Sequence, residues 1–274
     1  MTEFTHEFIQ ARWRPTLFIQ LSIMLHVLAL IGIMLKPDLW PWALAALIAN
    51  HLVISFVGLW PRSNWLGPNW SRLPTAAAER NEIALTIDDG PDPVVTPQVL
   101  EILDRFDAKA TFFCIGHKAA QYPELCREII RRGHAIENHS QQHRHNFSLL
   151  GLGGFRREIE AAQTTLLSIT GIRPSFFRAP AGLRNPFLQP VLSRLGLQLA
   201  SWSVRGFDTQ ERNADKVKNR LLSGLQPGAI VLMHDSNAAR TTDNTPVILE
   251  VLPALLEAAS KAKLRLVTLR EAAL

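Results

Sequence analysis

The chain has 274 residues, 47% of them hydrophobic, with 29 Lys and Arg against 24 Asp and Glu for a formal charge of +5. That length and apolar content exclude a disordered chain and leave room for one large domain, or for a domain with a small appendage. The basic excess is mild and no basic run is interleaved with aromatics, which argues against a nucleic-acid partner and fits a face toward anionic lipid or phosphate better.

From Pro15 to Leu35 run 21 residues without a formal charge, and from Leu39 to Trp60 another 22. Each is long enough to cross a bilayer. Only Lys36, Pro37 and Asp38 separate them, so residues 1–60 are expected to form a two-span transmembrane hairpin rather than a buried helical pair. A cleaved signal peptide fits less well, because a second span follows at once. Two spans put both chain ends on one side. Arg12, Arg14, Arg62, Arg72 and Arg80 flank the hairpin against Lys36 in its turn, which predicts a bacterial-type inner-membrane protein with its main domain in the cytoplasm.

Residues 61–82 are rich in Pro, Gly and Asn and place Trp65 and Trp70 near Arg62 and Arg72. They read as an interfacial linker, or equally as a loop with core Trp residues. Beyond it, residues 83–274 alternate strand-like and helix-like runs. The strands are expected at 83–87, 110–116, 134–138, 175–179, 198–204, 229–234 and 264–269. Seven strands with intervening helices imply an α/β fold with a parallel sheet and barrel-like closure, whose functional groups gather at the C-terminal ends of the strands. Cys114 and Cys126 lie in apolar surroundings without CxxC spacing, so they are expected as buried free thiols.

The polar outliers share one rim of that map. Asp88 and Asp89 follow the first strand, His139 and His143 the third, Arg178 ends the fourth, Asp208 follows the fifth and His234 ends the sixth. Adjacent carboxylates repel, so "TIDDGP" needs a positive charge nearby, although a strand ending in a turn would also produce it. Two imidazoles four apart, aimed alike by a helical turn, can hold a divalent ion together with one carboxylate. Asp89 would complete such a set. Asp88 can then act as general base, with Arg178 keeping it ionised. His234 is a candidate general acid, with Asp208 or the adjacent Asp235 raising its pKa.

Five of these motifs, in order, resemble the polysaccharide deacetylases of the NodB-homology type, carbohydrate esterase family four, over Ile83 to about Leu269. "TIDDGP", "HSQQH", "RAPAG", "RGFDT" and "LMH" are similar to the family's first to fifth motifs. The resemblance implies a distorted seven-stranded (β/α) barrel and metal-dependent hydrolysis of an N-acetyl group on an amino sugar. It implies Asp88 as base, Asp89, His139 and His143 as metal ligands, Arg178 orienting Asp88, Asp208 tuning His234, His234 as acid, and the backbone N–H of Ala181 at the oxyanion. In this sequence Ala181 stands where the family usually has Tyr. Arg205 replaces the usual first Asp of the fourth motif, and Thr209 replaces a Trp that walls the acyl pocket.

The expected function is removal of an acetyl or other small acyl group from an amino sugar, using one divalent ion, best Zn²⁺ among first-row metals. A cytoplasmic domain points to a lipid-linked saccharide or glycolipid. An envelope polysaccharide such as peptidoglycan or poly-N-acetylglucosamine requires the opposite orientation. A catalytically silent sugar-binding module is the reading from another class. Its usual mark, loss of ligands or base, is missing here.

Overall fold

The computed structural model describes residues 13–274; Arg12, counted above toward orientation, lies outside them. Helix α1 (Leu17–Leu35) begins where the Thr16 hydroxyl accepts from the Ile19 N–H. It stops before Pro37, which opens a tight turn into α2 (Trp40–Leu59). By length and composition both arms are apolar enough to cross a membrane, and 11% of each apolar window is buried. They are therefore not core helices of the domain. Between them Asn50 Nδ2 donates to Ser22 Oγ at 2.8 Å, and the His26 and His51 rings meet edge to face.

At the other end of the hairpin, Ile19, Val57 and Leu66 form a small apolar cluster. Gly58 lets the helix touch the domain: a Cβ there would lie 2.3 Å from the carbonyl oxygen of Arg184. The segment that follows packs along the domain. Trp70 donates its N–H to the Leu199 carbonyl and accepts from the Ser201 N–H, both at 2.8 Å, and its ring meets Phe176 edge-on. Of the two linker tryptophans, Trp70 thus joins the core, while Trp65 is 53% exposed. A short helix α3 (Thr75–Glu79) leads into the sheet.

In chain order come β1 (Glu82–Asp88), α4 (Val95–Arg105), β2 (Ala110–Cys114), α5 (Gly116–Gln121), α6 (Pro123–Arg131) and β3 (Ala135–Asn138). Then follow α7 (Leu152–Thr170), β4 (Phe176–Phe177), α8 (Leu188–Leu195), β5 (Gln198–Leu199), β6 (Val204–Arg205) and α9 (Ala214–Ser223). The chain closes with β7 (Ile230–His234), α10 (Val247–Lys261), β8 (Arg265–Leu266) and α11 (Leu269–Ala272). Strands run in the order β5-β4-β3-β2-β1-β7-β6, with β8 on the start of β1. Every strand pair is parallel. β1 alternates accordingly: Ile83, Leu85 and Ile87 face outward to the core shared with the covering helices, while Ala84 joins the inner cluster with Phe113, Phe176 and Trp202.

The seven expected strand regions are present, with one difference. The run 198–204 divides into β5, which pairs with β4, and β6, which pairs with β7. The curled sheet therefore closes through a broken strand. The reason is where the backbone bonds go: the carbonyls of Ala200 and Ser201 accept from Arg178 at 3.2 and 2.7 Å. Leu199 and Ser201 are spent on Trp70. The Ala200 N–H still donates to the Phe177 carbonyl of β4, but Trp70 and Arg178 take the bonds around it before β6 joins β7.

Candidate active site

β1 ends at Asp88, in register with Phe113 of β2 and His234 of β7. Asp88 is buried, and its Oδ1 accepts from Arg178 Nη1 at 2.7 Å. Arg178 is fully buried yet held on three sides: it also donates to the Thr86 hydroxyl and to the two carbonyls of the broken strand, and it lies 4.1 Å from the Phe113 ring centre. A buried guanidinium costs several kcal/mol unless paired and hydrogen-bonded in this way. The fourth-strand arginine is therefore fixed in place, and with it the orientation of Asp88.

Asp89 takes the left-handed conformation, φ 74°, which turns its side chain away from Arg178 and toward the histidines. Its Oδ1 lies 3.3 Å from His139 Nε2 and 3.2 Å from His143 Nε2. One ligand atom from each of the three residues falls within a 4.8 Å cluster. The other oxygen, Oδ2, accepts from Asn237 Nδ2 at 3.1 Å, whereas Oδ1 is buried without a hydrogen-bond donor. A buried, bare carboxylate oxygen facing two imidazole nitrogens fits a cation.

His139 Nδ1 is 2.8 Å from the Arg178 carbonyl. Donation there leaves the Nε2 lone pair facing Asp89, the usual arrangement behind a ligating histidine. Burial, aided by His139, pulls His143 down to about 4, so its imidazole is neutral and able to ligate. Burial works to raise Asp89, but the positive charge that the neighbouring imidazoles carry when protonated, His139 first and then His234 and His143, outweighs it and holds the carboxylate below its usual range.

The convergence of the two histidines is not helical, as their spacing suggested. Residues 139–143 form a loop in which Ser140 and His143 have positive φ. Asn138 Oδ1 accepts from the Ser140 N–H and Ser140 Oγ from the His143 N–H. Side-chain bonds of this kind replace the helical turn.

His234 resolves the choice between Asp208 and Asp235. Its Nδ1 lies 2.9 Å from Asp208 Oδ1, and its backbone N–H donates to Asp208 Oδ2 at 2.7 Å. Asp235 points elsewhere, accepting from the Thr96 hydroxyl against Gly90. Burial alone would lower the pKa of His234; the charge and hydrogen bond of Asp208, with Asp88 and Asp89 behind them, push it up to about 9. Ala181 follows in the turn after Arg178 with φ 54°, a conformation that non-glycine residues rarely hold without a local reason.

Sequence reasoning missed three supports of this centre. Asn237 braces Asp89, Lys118 donates to the Asp89 carbonyl at 2.9 Å, and Thr86 shares Nη1 of Arg178 with Asp88. Thr86, a hydroxyl two residues before Asp88 on the same strand face, was the one signal available.

Comparison with known proteins agrees with this arrangement. A family model described as polysaccharide deacetylase matches residues 75–200. The chain is 28% identical over 200 residues to a peptidoglycan-N-acetylglucosamine deacetylase of Bacillus cereus, covering 72% of this chain and 71% of that one. It is 38% identical over 159 residues to a chitooligosaccharide deacetylase of Azorhizobium caulinodans, covering 57% and 74%. A solved structure of a peptidoglycan N-acetylglucosamine deacetylase aligns with a TM-score of 0.67 at 28% identity, over 74% of this chain and 91% of that one. The family match ends before Asp208 and His234, which the geometry joins to the same centre.

Proposed function

This chain belongs to the polysaccharide deacetylase family and is an amide hydrolase, and on that premise we propose that it removes the N-acetyl group from an amino-sugar saccharide of the cell envelope, at a membrane surface. The observation that carries the reading is the bare Asp89 Oδ1 between His139 and His143, beside an Asp88 held by Arg178. Asp89, His139 and His143 would hold one divalent ion, and two imidazoles with one carboxylate suit Zn²⁺ well. When bound, that ion supplies Lewis acidity toward an acyl oxygen and lowers the pKa of water.

The chain's own residues supply the rest. Asp88, oriented by Arg178, accepts the proton of the attacking water. The Ala181 N–H donates to the oxygen that gains charge as the carbonyl carbon becomes tetrahedral. His234, protonated because Asp208 stabilises the imidazolium, gives a proton to the amine as the C–N bond breaks. Water and amide become acetate and free amine; Asp88 and the new carboxylic acid each give up a proton, one of which restores His234 while the other goes to solvent. The relatives named as peptidoglycan and chitooligosaccharide deacetylases support an envelope saccharide as substrate.

We place α1 and α2 in the bilayer, since their exposed apolar side chains would be costly in water. A second reading is favoured by one observation: Arg14, Arg62, Arg72 and Arg80 against Lys36 weigh toward a cytoplasmic domain, acting on a lipid-linked amino sugar. The test is acetate release from N-acetylated chitooligosaccharide by the full chain in detergent, with and without divalent metal. Metal-dependent release supports the reading; none under any metal condition overturns it.

A further inference from the structure

Where α2 ends, Trp60 and Arg62 turn against Trp202, Ser203, Arg205 and Phe207 and enclose a cavity of about 310 Å³. It adjoins the catalytic centre. Trp202 lies 2.6 Å from where a Cβ on Gly182 would stand, next to Ala181, and its ring centre is 5.9 Å from the Arg178 guanidinium carbon. Phe207 directly precedes Asp208.

Two arginines line this cavity. The guanidinium carbon of Arg205 is 4.7 Å from the Phe207 ring centre and 5.5 Å from that of Trp202. These aromatic faces position it without neutralising it. Its Nε is buried and has no hydrogen-bond partner. Neither Arg62 nor Arg205 takes part in any ion pair among the described residues. By contrast Arg220, also set over the Phe207 ring, has Glu211 at 3.6 Å. Two guanidinium groups without a carboxylate, one with a buried bare donor, form a seat for a planar or tetrahedral oxyanion.

Its position selects the source of that anion. The cavity starts at the residue that ends a helix of bilayer-crossing length, the depth at which lipid phosphates lie beyond the hydrocarbon. We infer that this cavity receives the phosphate of a lipid-linked amino-sugar substrate, so that Arg62 and Arg205 hold the phosphate while the sugar's N-acetyl group reaches the Asp88–Asp89 centre. The inference rests on the deacetylase reading and narrows its substrate.

The test compares two N-acetylated substrates carrying the same disaccharide and the same short alkyl chain in mixed micelles, one joined through a phosphodiester and one as a plain glycoside. For the full chain, kcat/KM is expected to favour the phosphodiester by about 10- to 100-fold, the worth of one or two charge-assisted hydrogen bonds. Arg205→Ala and Arg62→Ala should each erase most of that preference, and Arg205→Lys should restore part of it. Equal kcat/KM on the two substrates, or equal losses on both in the variants, overturns the inference and leaves the deacetylase reading standing. Arg205-dependent activation of both substrates alike by added phosphatidylglycerol also overturns it, assigning the cavity to a bulk lipid headgroup. Absence of acetate release from either substrate strikes the deacetylase reading itself, and the inference with it.

Discussion

Asp88 and His234 stand opposite each other in register on adjacent parallel strands, β1 and β7. Asp88 leans on Arg178 and His234 on Asp208, so a carboxylate placed to accept a proton and an imidazole kept protonated face each other across a single strand spacing. An acceptor and a protonated donor fixed on opposite sides of one site suit opposite halves of a proton-transfer reaction. Asp88→Asn keeps the shape and an acceptor for Arg178 but removes the base. Turnover should fall by about 10²–10⁴-fold, with metal content unchanged when both are measured on the same sample.

Asp88→Ala should behave differently from Asp88→Asn in stability. It leaves the fully buried Arg178 without its carboxylate, a loss of about 3–5 kcal/mol for a broken buried pair. Denaturant unfolding of the two variants side by side reads the difference. Equal midpoints would show that Arg178 finds compensation for the lost carboxylate elsewhere.

The alkaline limb of the pH–rate profile follows from His234. With its pKa pushed up to about 9, it stays protonated through neutral pH and loses its proton as pH rises through that value. Activity should decline there. In Asp208→Asn the raising charge is gone and burial, which lowers the pKa, prevails; the limb should move toward acid and the rate at neutral pH should drop. A limb that stays in place would remove His234 from the role of acid.

Gly58 should matter to the junction between hairpin and domain. A methyl there meets the Arg184 carbonyl at 2.3 Å, and backbone cannot step aside as a flexible side chain can. Gly58→Ala should cost about 1–3 kcal/mol through overpacking, read as a lower thermal midpoint in detergent, even though alanine is the better helix former.

Much of this architecture was legible in the sequence, because the residues that carry it are local signals. Asp88–Asp89 before Gly-Pro, His139 and His143, Arg178 after two Phe, and His234 ending an apolar run each sit at a strand end that periodicity can find. What escaped depended on long-range bonds. The run 198–204 reads as one strand, and nothing in its composition reveals that Trp70 and Arg178 claim its backbone. The spacing of His139 and His143 was right and its helical explanation was not, since Asn138 and Ser140 shape a loop instead. Asp235 adjoins His234 in sequence, yet strand alternation sends it to Thr96, and Asp208 arrives from 26 residues away. The docking of Gly58 on Arg184 has no counterpart in local pattern.

The central claim is a one-metal centre on Asp89, His139 and His143 that drives amide hydrolysis. The most direct measurement is metal per chain alongside acetate release, for the protein as purified, after chelation, and after titration with Zn²⁺, with His139→Ala carried through the same series. Activity should vanish on chelation, return in proportion to metal up to one equivalent per chain, and fail in His139→Ala together with loss of the metal. Undiminished acetate release from metal-free protein, or full metal retention by His139→Ala, would contradict it.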